Sequence, residues 1–448
     1  MTAFRPAASA LPPPSAPRCC SARAARSSPT SSATPPEQAL PDLIVLLGDQ
    51  VYADRTPPAT RRFIHRRRSV QGPVDTHAHD FTEFAALYRE AWSEPAVRWL
   101  LSTVPTVMIF DDHEVIDNWN TSARWLAAHE AQPWWPQRLR NALAAYWMYQ
   151  HLGNLTADER AADPGFAALR RGDPSVALAT FERLASRGGE GTPGVRWSYA
   201  RTVGPARLVM IDSRGGRVLQ GGKRHLLDED EWAWLEDERA HPAPYLLLGT
   251  SLPLLLPHGL HELERITTAA CAGRWGRVGA RIGERVRQAA QFTHWAAFPP
   301  SYHRALELLR RAATPPRRGV MVLSGDVHFA YVATLRAWGD GATPQVPVHQ
   351  LVSSPLCYDL DGTIAGGFRA LVSPFGKRVG RWLSRLAGAP PTTTTWTIDT
   401  GPVLHNVVTH LELLPDDARV RIERTRADGE LGTRLYTALE RSLAPAAD

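Results

Sequence analysis

Apolar residues in this chain gather into short unbroken runs, several of them closed by a cluster of polar residues. Leu43-Ile44-Val45-Leu46-Leu47 leads into Gly48-Asp49-Gln50-Val51-Tyr52, and Val107-Met108-Ile109-Phe110 into Asp111-Asp112-His113-Glu114. Val320-Met321-Val322-Leu323 leads in the same way into Ser324-Gly325-Asp326-Val327-His328. A run of this length without alternation predicts a strand buried on both faces, as at the centre of an α/β sheet. Strands are expected at 42–48, 106–110, 206–211, 244–249, 319–324, 346–353, 404–412 and 418–423. Helices are expected at about 81–92, across the Trp-rich stretch 120–185, after the acidic start at 227–232, and at 303–312. Strands alternating with helices, followed by a strand-rich end, predict an α/β class with a second sheet.

Open α/β sheets place their chemistry at the carboxyl ends of the buried strands. Asp, His, Glu and Tyr arrive at such ends three times here, which predicts one site rich in oxygen and nitrogen donors. Hard cations take carboxylate oxygens and imidazole suits Zn and Fe, so the pattern points to a hydrolytic site with two or more metals. Gly48 permits a tight turn that lets the Asp49 carboxylate reach a cleft, and a Tyr52 phenolate suits a strongly Lewis-acidic ion such as ferric iron. The competing reading makes Asp49 a turn cap and Tyr52 a core residue. Asp111-Asp112-His113-Glu114 is costly to bury without partners, and Asn118 adds an amide oxygen close by. In an extended segment Asp326 and His328 share one face and meet the same or adjacent ions. Asp212-Ser213-Arg214 ends another buried run. The Arg214 fork suits phosphate oxygens, and a structural ion pair with Asp212 is equally open. His77-Ala78-His79 and His258-Gly259-Leu260-His261-Glu262 lie at no buried strand end and fit no helical zinc motif, so they are read as incidental.

Composition narrows the classes. A 44% hydrophobic and 21% charged chain of 448 residues is ordinary for a globular protein, and no apolar run is long enough to cross a bilayer. The net charge of +6 comes almost wholly from Arg, with Lys only at 223 and 377. The dense basic run Arg61-Arg62 and Arg66-Arg67-Arg68 is read as a solvated loop rather than a steering patch. Trp125, Trp134, Trp135 and Trp147 are read as helix-to-sheet packing and not as a platform for bases. The four Cys residues, Cys19, Cys20, Cys271 and Cys357, show no zinc-ribbon spacing, and a reducing compartment is the default. Residues 1–40 are rich in Pro, Ala, Ser and Arg, with Glu37 as the first acid, and are expected to be disordered. They lack the apolar core of a secretory signal, so a cytoplasmic location is expected.

Together Gly48-Asp49-Gln50-Val51-Tyr52, Phe110-Asp111-Asp112-His113-Glu114 and Ser324-Gly325-Asp326-Val327-His328 resemble the hallmark segments of the PhoD-like (alkaline phosphatase D) metallophosphatases. Asp212-Ser213-Arg214, His294-Trp295 and Val352-Ser353-Ser354-Pro355 resemble further segments of that family, from about residue 41 to beyond 410. The resemblance implies a calcineurin-like metallophosphoesterase fold, two packed β-sheets flanked by helices, with 41–448 as the catalytic domain. It implies two or more metal ions, iron with calcium or other divalent metals, and hydrolysis of phosphomonoesters or phosphodiesters by a metal-activated hydroxide. Asp49, Asp112 and Asp326 are then the first-choice ligands, followed by Tyr52, Asn118 and His328. His113 or His328 is placed to protonate the leaving oxygen, and Arg214 to clamp phosphate. The expected partner is a small phosphate ester, with no specific nucleic acid; oligomeric state is left open.

Two departures from the family pattern bear on this. Members usually carry a small β-sandwich domain before the catalytic domain, which this sequence lacks, so a truncated start is one reading. They also usually end a first core strand with a metal-binding Cys. Cys19 and Cys20 stand roughly there, but Pro12, Pro13, Pro14 and Pro17 read as no strand, so both are expected away from the metals and residues 1–38 dispensable for folding. A non-catalytic phosphatase-fold binding protein with incomplete metal loading is the alternative, and a basic nucleic-acid binder a third reading.

Overall fold

The computed structural model describes residues 2–5, 40–69, 76–172, 175, 176, 179, 197–353, 373–390, 392–414, 417–427 and 433–443. In chain order its strands are β1 (Thr2–Arg5), β2 (Leu43–Leu46), β3 (Thr106–Met108), β4 (Tyr199–Val203), β5 (Ala206–Ile211), β6 (Tyr245–Thr250) and β7 (Gly319–Ser324). They continue with β8 (Ala330–Ala337), β9 (Val348–Val352), β10 (Thr395–Val403), β11 (Val407–Leu413), β12 (Ala418–Ala427) and β13 (Thr433–Ser442). Six form one sheet in the order β13-β12-β11-β1-β2-β3, and seven form another in the order β10-β8-β9-β7-β6-β5-β4. Strands β2 and β3 run parallel, as do β5, β6, β7 and β9, while the outer strands of the second sheet pair antiparallel.

The unbroken apolar runs are explained by two cores. Leu43, Val45 and Leu47 share one buried cluster with Leu208, Met210, Leu247, Met321 and Leu323, so the two sheets pack face to face. The alternate residues Ile44 and Leu46 turn outward onto Leu100, Leu101 and Trp92, from the helices Pro95–Thr103 and Phe81–Trp92. On the second sheet Leu246, Leu248, Val320 and Val322 turn outward onto Trp232, Leu235, Leu306 and Leu309, from helices Glu229–Ala240 and Pro299–Ala312. Each strand is apolar at every position because both of its faces are covered.

The stretch 120–185 is not one helix. It breaks into Ala123–Glu130 and Trp135–Tyr146, a π turn at Trp147–His151, and shorter helices beyond. Pro136 lies in the first turn of its helix, where a missing N–H costs nothing. Trp125, Trp135 and Trp147 are buried with Phe110 and Val115 in a third cluster and Trp134 packs against it, so these residues do pack helices onto the strand end.

Two expectations need correction. Most of the basic run is helical, not loop: Pro58–Arg67 is a helix, with Arg67 paired to Asp80 at 2.8 Å and Arg68 to Glu83 at 2.8 Å. And the segment 1–40 is not uniformly without structure. Thr2–Arg5 is a strand inside the first sheet, antiparallel to β2 and parallel to β11. Composition hid it because four residues carry little pattern; what fixes them is the pair of open strand edges on either side. Cys19, Cys20 and Cys357 lie outside the described residues, and Cys271 is a free thiol.

Residues 1–38 therefore do not all count as dispensable. Deleting residues 1–5 leaves the facing edges of β2 and β11 unpaired. At about 1 kcal/mol net per hydrogen bond, the loss is on the order of 3 kcal/mol or more. The measurement is urea unfolding of the deletion beside the full chain; unchanged stability contradicts the strand's place in the sheet.

Candidate metal centre

Three strand ends converge at one edge of the sandwich. The β2 end turns at Gly48, whose φ of +106° and closeness to Asp111 (an added Cβ would sit 2.7 Å from Asp111 Oδ2) leave room only for glycine. Asp49, Asn118, Asp326 and His328 all adopt left-handed backbone, with φ of 47°, 63°, 63° and 59°. Among the described residues only Asn120 and Gln291 join them as non-glycine residues of that kind. Left-handed backbone at this density is held by surroundings and collects at functional sites. It also corrects the expectation for Asp326 and His328: their segment is a turn, not an extended strand.

Side-chain atoms of Asp49, Asp111, Asp112 and Asp326 lie within 4.8 Å of one another. Asp49, Asp112 and His113 form an overlapping group at the same spacing, and Asp54, His113 and Asp117 a third. Arg214, fully buried, lies among the carboxylates. Its Nε donates to Asp111 Oδ1 at 2.5 Å, its Nη2 to Asp326 Oδ1 at 2.9 Å, and its Nη1 sits 3.3 Å from Asp112 Oδ2 while donating to Thr293 at 2.8 Å. The guanidinium thus pairs with Asp111, Asp112 and Asp326 and not with Asp212, the ion-pair partner weighed for it. Asp212 instead accepts the backbone N–H groups of Arg214 and Gly215, at 2.9 and 2.8 Å, and shapes the turn.

Burial drives the Asp49 carboxyl well above its usual range; His113 opposes this and the neighbouring carboxylates add to it. Burial likewise lifts Asp111 to about 8, against the pull of Arg214. Asp326 goes the other way: although buried, it is held low by its hydrogen bond from His294 and by Arg214. Burial and the charges of Asp49, Asp112 and Asp326 push the Tyr52 phenol far up, and its ring lies 4.3 Å from that of His113. A bound cation reverses the sign of such effects, because its charge exceeds that of any neighbour. His328 faces Asp326, His113 and Asp112 electrostatically, and burial lowers its basicity. Asn118 donates its backbone N–H to Asp112 Oδ2 at 2.7 Å, and its side-chain N–H₂ to Asp117 at 3.1 Å.

The residues fit a metal. Asp111 Oδ2, Asn118 Oδ1 and Asn120 Oδ1 are buried acceptors without a hydrogen-bond partner. Buried acceptors left this way are expensive, and a hard cation satisfies both them and the excess of carboxylates.

A family model described as PhoD-like phosphatase matches residues 32–366. The chain belongs to the PhoD-like phosphatase family. It is accordingly a phosphatase, a metal-binding hydrolase of phosphoesters, and its acidic clusters suit that chemistry. Among solved structures, one titled "Structure of PhoD" is similar with a TM-score of 0.50 and 13% identity, covering 100% of this chain and 72% of that one. At this identity the likeness speaks for the mixed α/β fold alone. A search of curated proteins finds no match. No helix among the described residues is long and apolar enough to cross a membrane.

Asp54 and Glu264 of this PhoD-like phosphatase site escaped the sequence reading, and Glu114 and His294 were seen within motifs but given no role. Asp54 accepts from or faces His113 Nδ1 at 2.8 Å and takes the Asp117 N–H at 3.0 Å; these partners outweigh burial and bring its carboxyl to about 2. Glu114 is a bracket, not a ligand candidate: it accepts the N–H groups of Gln50 and Asp111, at 2.8 and 3.0 Å, and a bond from Gln150 at 2.9 Å. It ties the first strand end to the second. Glu264 and His294 form a chain to the centre, with Glu264 Oε1 2.5 Å from His294 Nδ1 and His294 Nε2 3.1 Å from Asp326 Oδ2. Glu264 lies mid-helix in His258–Cys271, where only tertiary packing shows its role. His258 and His261 of that helix instead pack around Trp396.

Burial opposes charge on His294, but Glu264 and Asp326 raise it to about 10 from 6.5. A raised folded value means the protonated pair stabilises fully below about 6.5 and fades as pH climbs through 10. In metal-free protein the melting temperature is expected to fall between pH 7 and 10, and His294→Asn to flatten that fall. An unchanged alkaline slope in the variant contradicts the assignment.

Proposed function

We propose that this chain hydrolyses phosphate mono- or diesters on a calcineurin-like metallophosphoesterase fold, with Thr2–Arg5 and residues 41–448 as one catalytic domain. The observation that carries the reading is the convergence of Asp49, Asp111, Asp112 and Asp326, the middle two buried and the outer two half-buried, with orphaned buried acceptors beside them. Asp49, Asp112 and Asp326 are assigned as metal ligands, with Tyr52, Asn118 and His328 completing the set. Iron with calcium suits a phenol among carboxylates, and other divalent metals suit the same oxygens. When bound, the metals supply a Lewis acid for phosphoryl oxygens and lower the pKa of coordinated water.

The chain's own groups then divide the work. Asp54 fixes the His113 ring through Nδ1 and leaves Nε2 to hold a proton for the leaving oxygen. The four carboxylates repel an anionic phosphate, so Arg214 and His113 lower that repulsion. With its donors spent on Asp111, Asp112, Asp326 and Thr293, Arg214 serves as an internal counter-ion; a clamp role requires it to exchange a carboxylate for phosphate. His294 and Arg214 hold both oxygens of Asp326 in place.

Asp49→Asn and Asp326→Asn keep size and remove charge. Each is expected to cut turnover of a chromogenic phosphomonoester or phosphodiester by on the order of a hundredfold or more with the fold retained. Near-normal turnover in either variant removes that residue from the site. Prolonged chelation is expected to abolish activity and lower the melting temperature, since bound metal stabilises the folded state by mass action. Elemental analysis of the protein before and after identifies the ions, and no change in activity or melting contradicts the metal assignment.

A further inference from the structure

Eight of the twelve large apolar side chains exposed among the described residues belong to two neighbouring helices and their flanks. Trp275, Val278, Ile282 and Val286 lie at or near one-turn spacing on and before helix Gly276–Ala289. Phe375, Trp382, Leu383 and Leu386 lie on helix Pro374–Leu386, where Phe375 is 72% and Trp382 59% exposed. Both helices pack on His258–Cys271 through their smallest residues. Gly283 sits where an added Cβ would come 2.9 Å from Ala270, and Gly380 where it would come 3.2 Å from Glu262. Gly376 and Ser384 flank Gly380 on the same buried face. The usual amphipathic arrangement is therefore inverted: small residues face in and large apolar residues face out. The helices meet at one end, where Gly388 packs on Arg274, next to Trp275 and two residues from Leu386.

The charge of this face has one sign. Helix Pro374–Leu386 carries Lys377, Arg378, Arg381 and Arg385 and no acid. Helix Gly276–Ala289 presents Arg277, Arg281 and Arg285, and its one acid, Glu284, is paired at 2.9 Å with Arg287, which is buried. An exposed apolar patch this concentrated marks an interaction surface. We propose that this face docks on an anionic phospholipid bilayer surface, with the two helices lying in the headgroup plane. Exposed Trp, Phe, Ile and Leu side chains beside Arg and Lys are the chemistry of such helices: the apolar groups enter the acyl boundary and the cations meet lipid phosphates. A second copy of the chain presents the same cations and is repelled. Residues 6–39 bring Arg18, Arg23 and Arg26 against Glu37 alone, so they too are like-charged. Nucleic acid pairs with the cations but gains nothing from Val278, Ile282 and Leu386, which offer no stacking surface. The platform is joined to the metal centre at two points: Glu284 accepts a hydrogen bond from Ser122, and Gln291 donates to Asp117 at 2.8 Å. Docking therefore holds the catalytic segment 111–122 beside the membrane surface.

The test is sedimentation of the full chain with vesicles of equal parts phosphatidylcholine and phosphatidylglycerol, beside vesicles of phosphatidylcholine alone. The expected result is retention on the anionic vesicles at low salt, weakened at about 0.5 M salt, where screening is short-ranged. The double variant Arg378→Glu with Arg385→Glu is expected to weaken retention by about tenfold or more. Phe375→Ser with Trp382→Ser is expected to weaken it comparably while leaving the salt dependence that remains. All four side chains are exposed, so unchanged melting temperatures verify folding. No retention at low salt, equal retention on both vesicle types, or wild-type retention by both double variants overturns the proposal. Concentration-dependent self-association in lipid-free solution that these variants abolish also overturns it, in favour of a second copy on this face.

Discussion

Like charge confined at short range is the constraint around which the rest of the structure is arranged. Four carboxylates with oxygens within 4.8 Å of one another repel by roughly 3 kcal/mol per ionised pair, even at an effective dielectric near 20. No local backbone preference sustains such a group. It stands because opposite charge is placed inside it: Arg214 touches three of the four acids, and His294 and His113 lie against Asp326 and Asp49. The remaining deficit shows as a raised Asp111 and as acceptors with no donor, which is the electrostatic form of a cation site.

Holding those charges demands stiffness that side-chain contacts alone do not supply. The two packed sheets provide it, since each strand that ends at the centre is locked on both faces. At the strand ends the chain must reverse within a residue or two, and it does so through left-handed Asp49 and Asp326 and through Gly48. Glu114 then spans the gap between two of the loops by taking one N–H from each. It acts as a positioning residue: its oxygens accept from Gln50, Asp111 and Gln150 and so fix the two loops against each other. The same economy of donors explains Asp212, which shapes the turn that aims Arg214 without touching the guanidinium.

What the sequence made legible was the part of the site that sits at strand ends. Unbroken apolar runs at 43–47, 107–110 and 320–323 marked buried strands, and the polar residues after them had nowhere else to be. Tyr52, Asp112, His113, Asp326 and His328 were named from that logic, and they do gather. Asp54 and Glu264 stayed hidden for a physical reason: each reaches the centre through one histidine, from a loop and from mid-helix, and neither position carries a period or a motif. Arg214 was visible as a residue but not in its contacts, because a guanidinium at the end of a long flexible side chain can meet any of several carboxylates. Strand β1 was invisible because four residues in a Pro- and Ser-rich stretch acquire strand character only from the edges of β2 and β11. The basic run at 61–68 looked like a loop because its cations mask the Ile64 that anchors it.

Helix His258–Cys271 shows how the inner and outer requirements are met by one element. Its inward side carries Glu264, a fully buried carboxylate whose partner is His294, so one turn of this helix sets the charge state of the group behind Asp326. Its outward side receives two helices through Gly283 and Gly380, where close backbone approach replaces side-chain interdigitation. Glycine contacts bury little apolar area, so these outer helices keep their Trp, Phe, Val, Ile and Leu residues for another surface instead of for the core. A helix docked for its own stability does the opposite and turns its largest apolar residues inward. The outer layer is thus fastened to helix His258–Cys271 by its small residues, and this leaves its basic, apolar exterior on the surface.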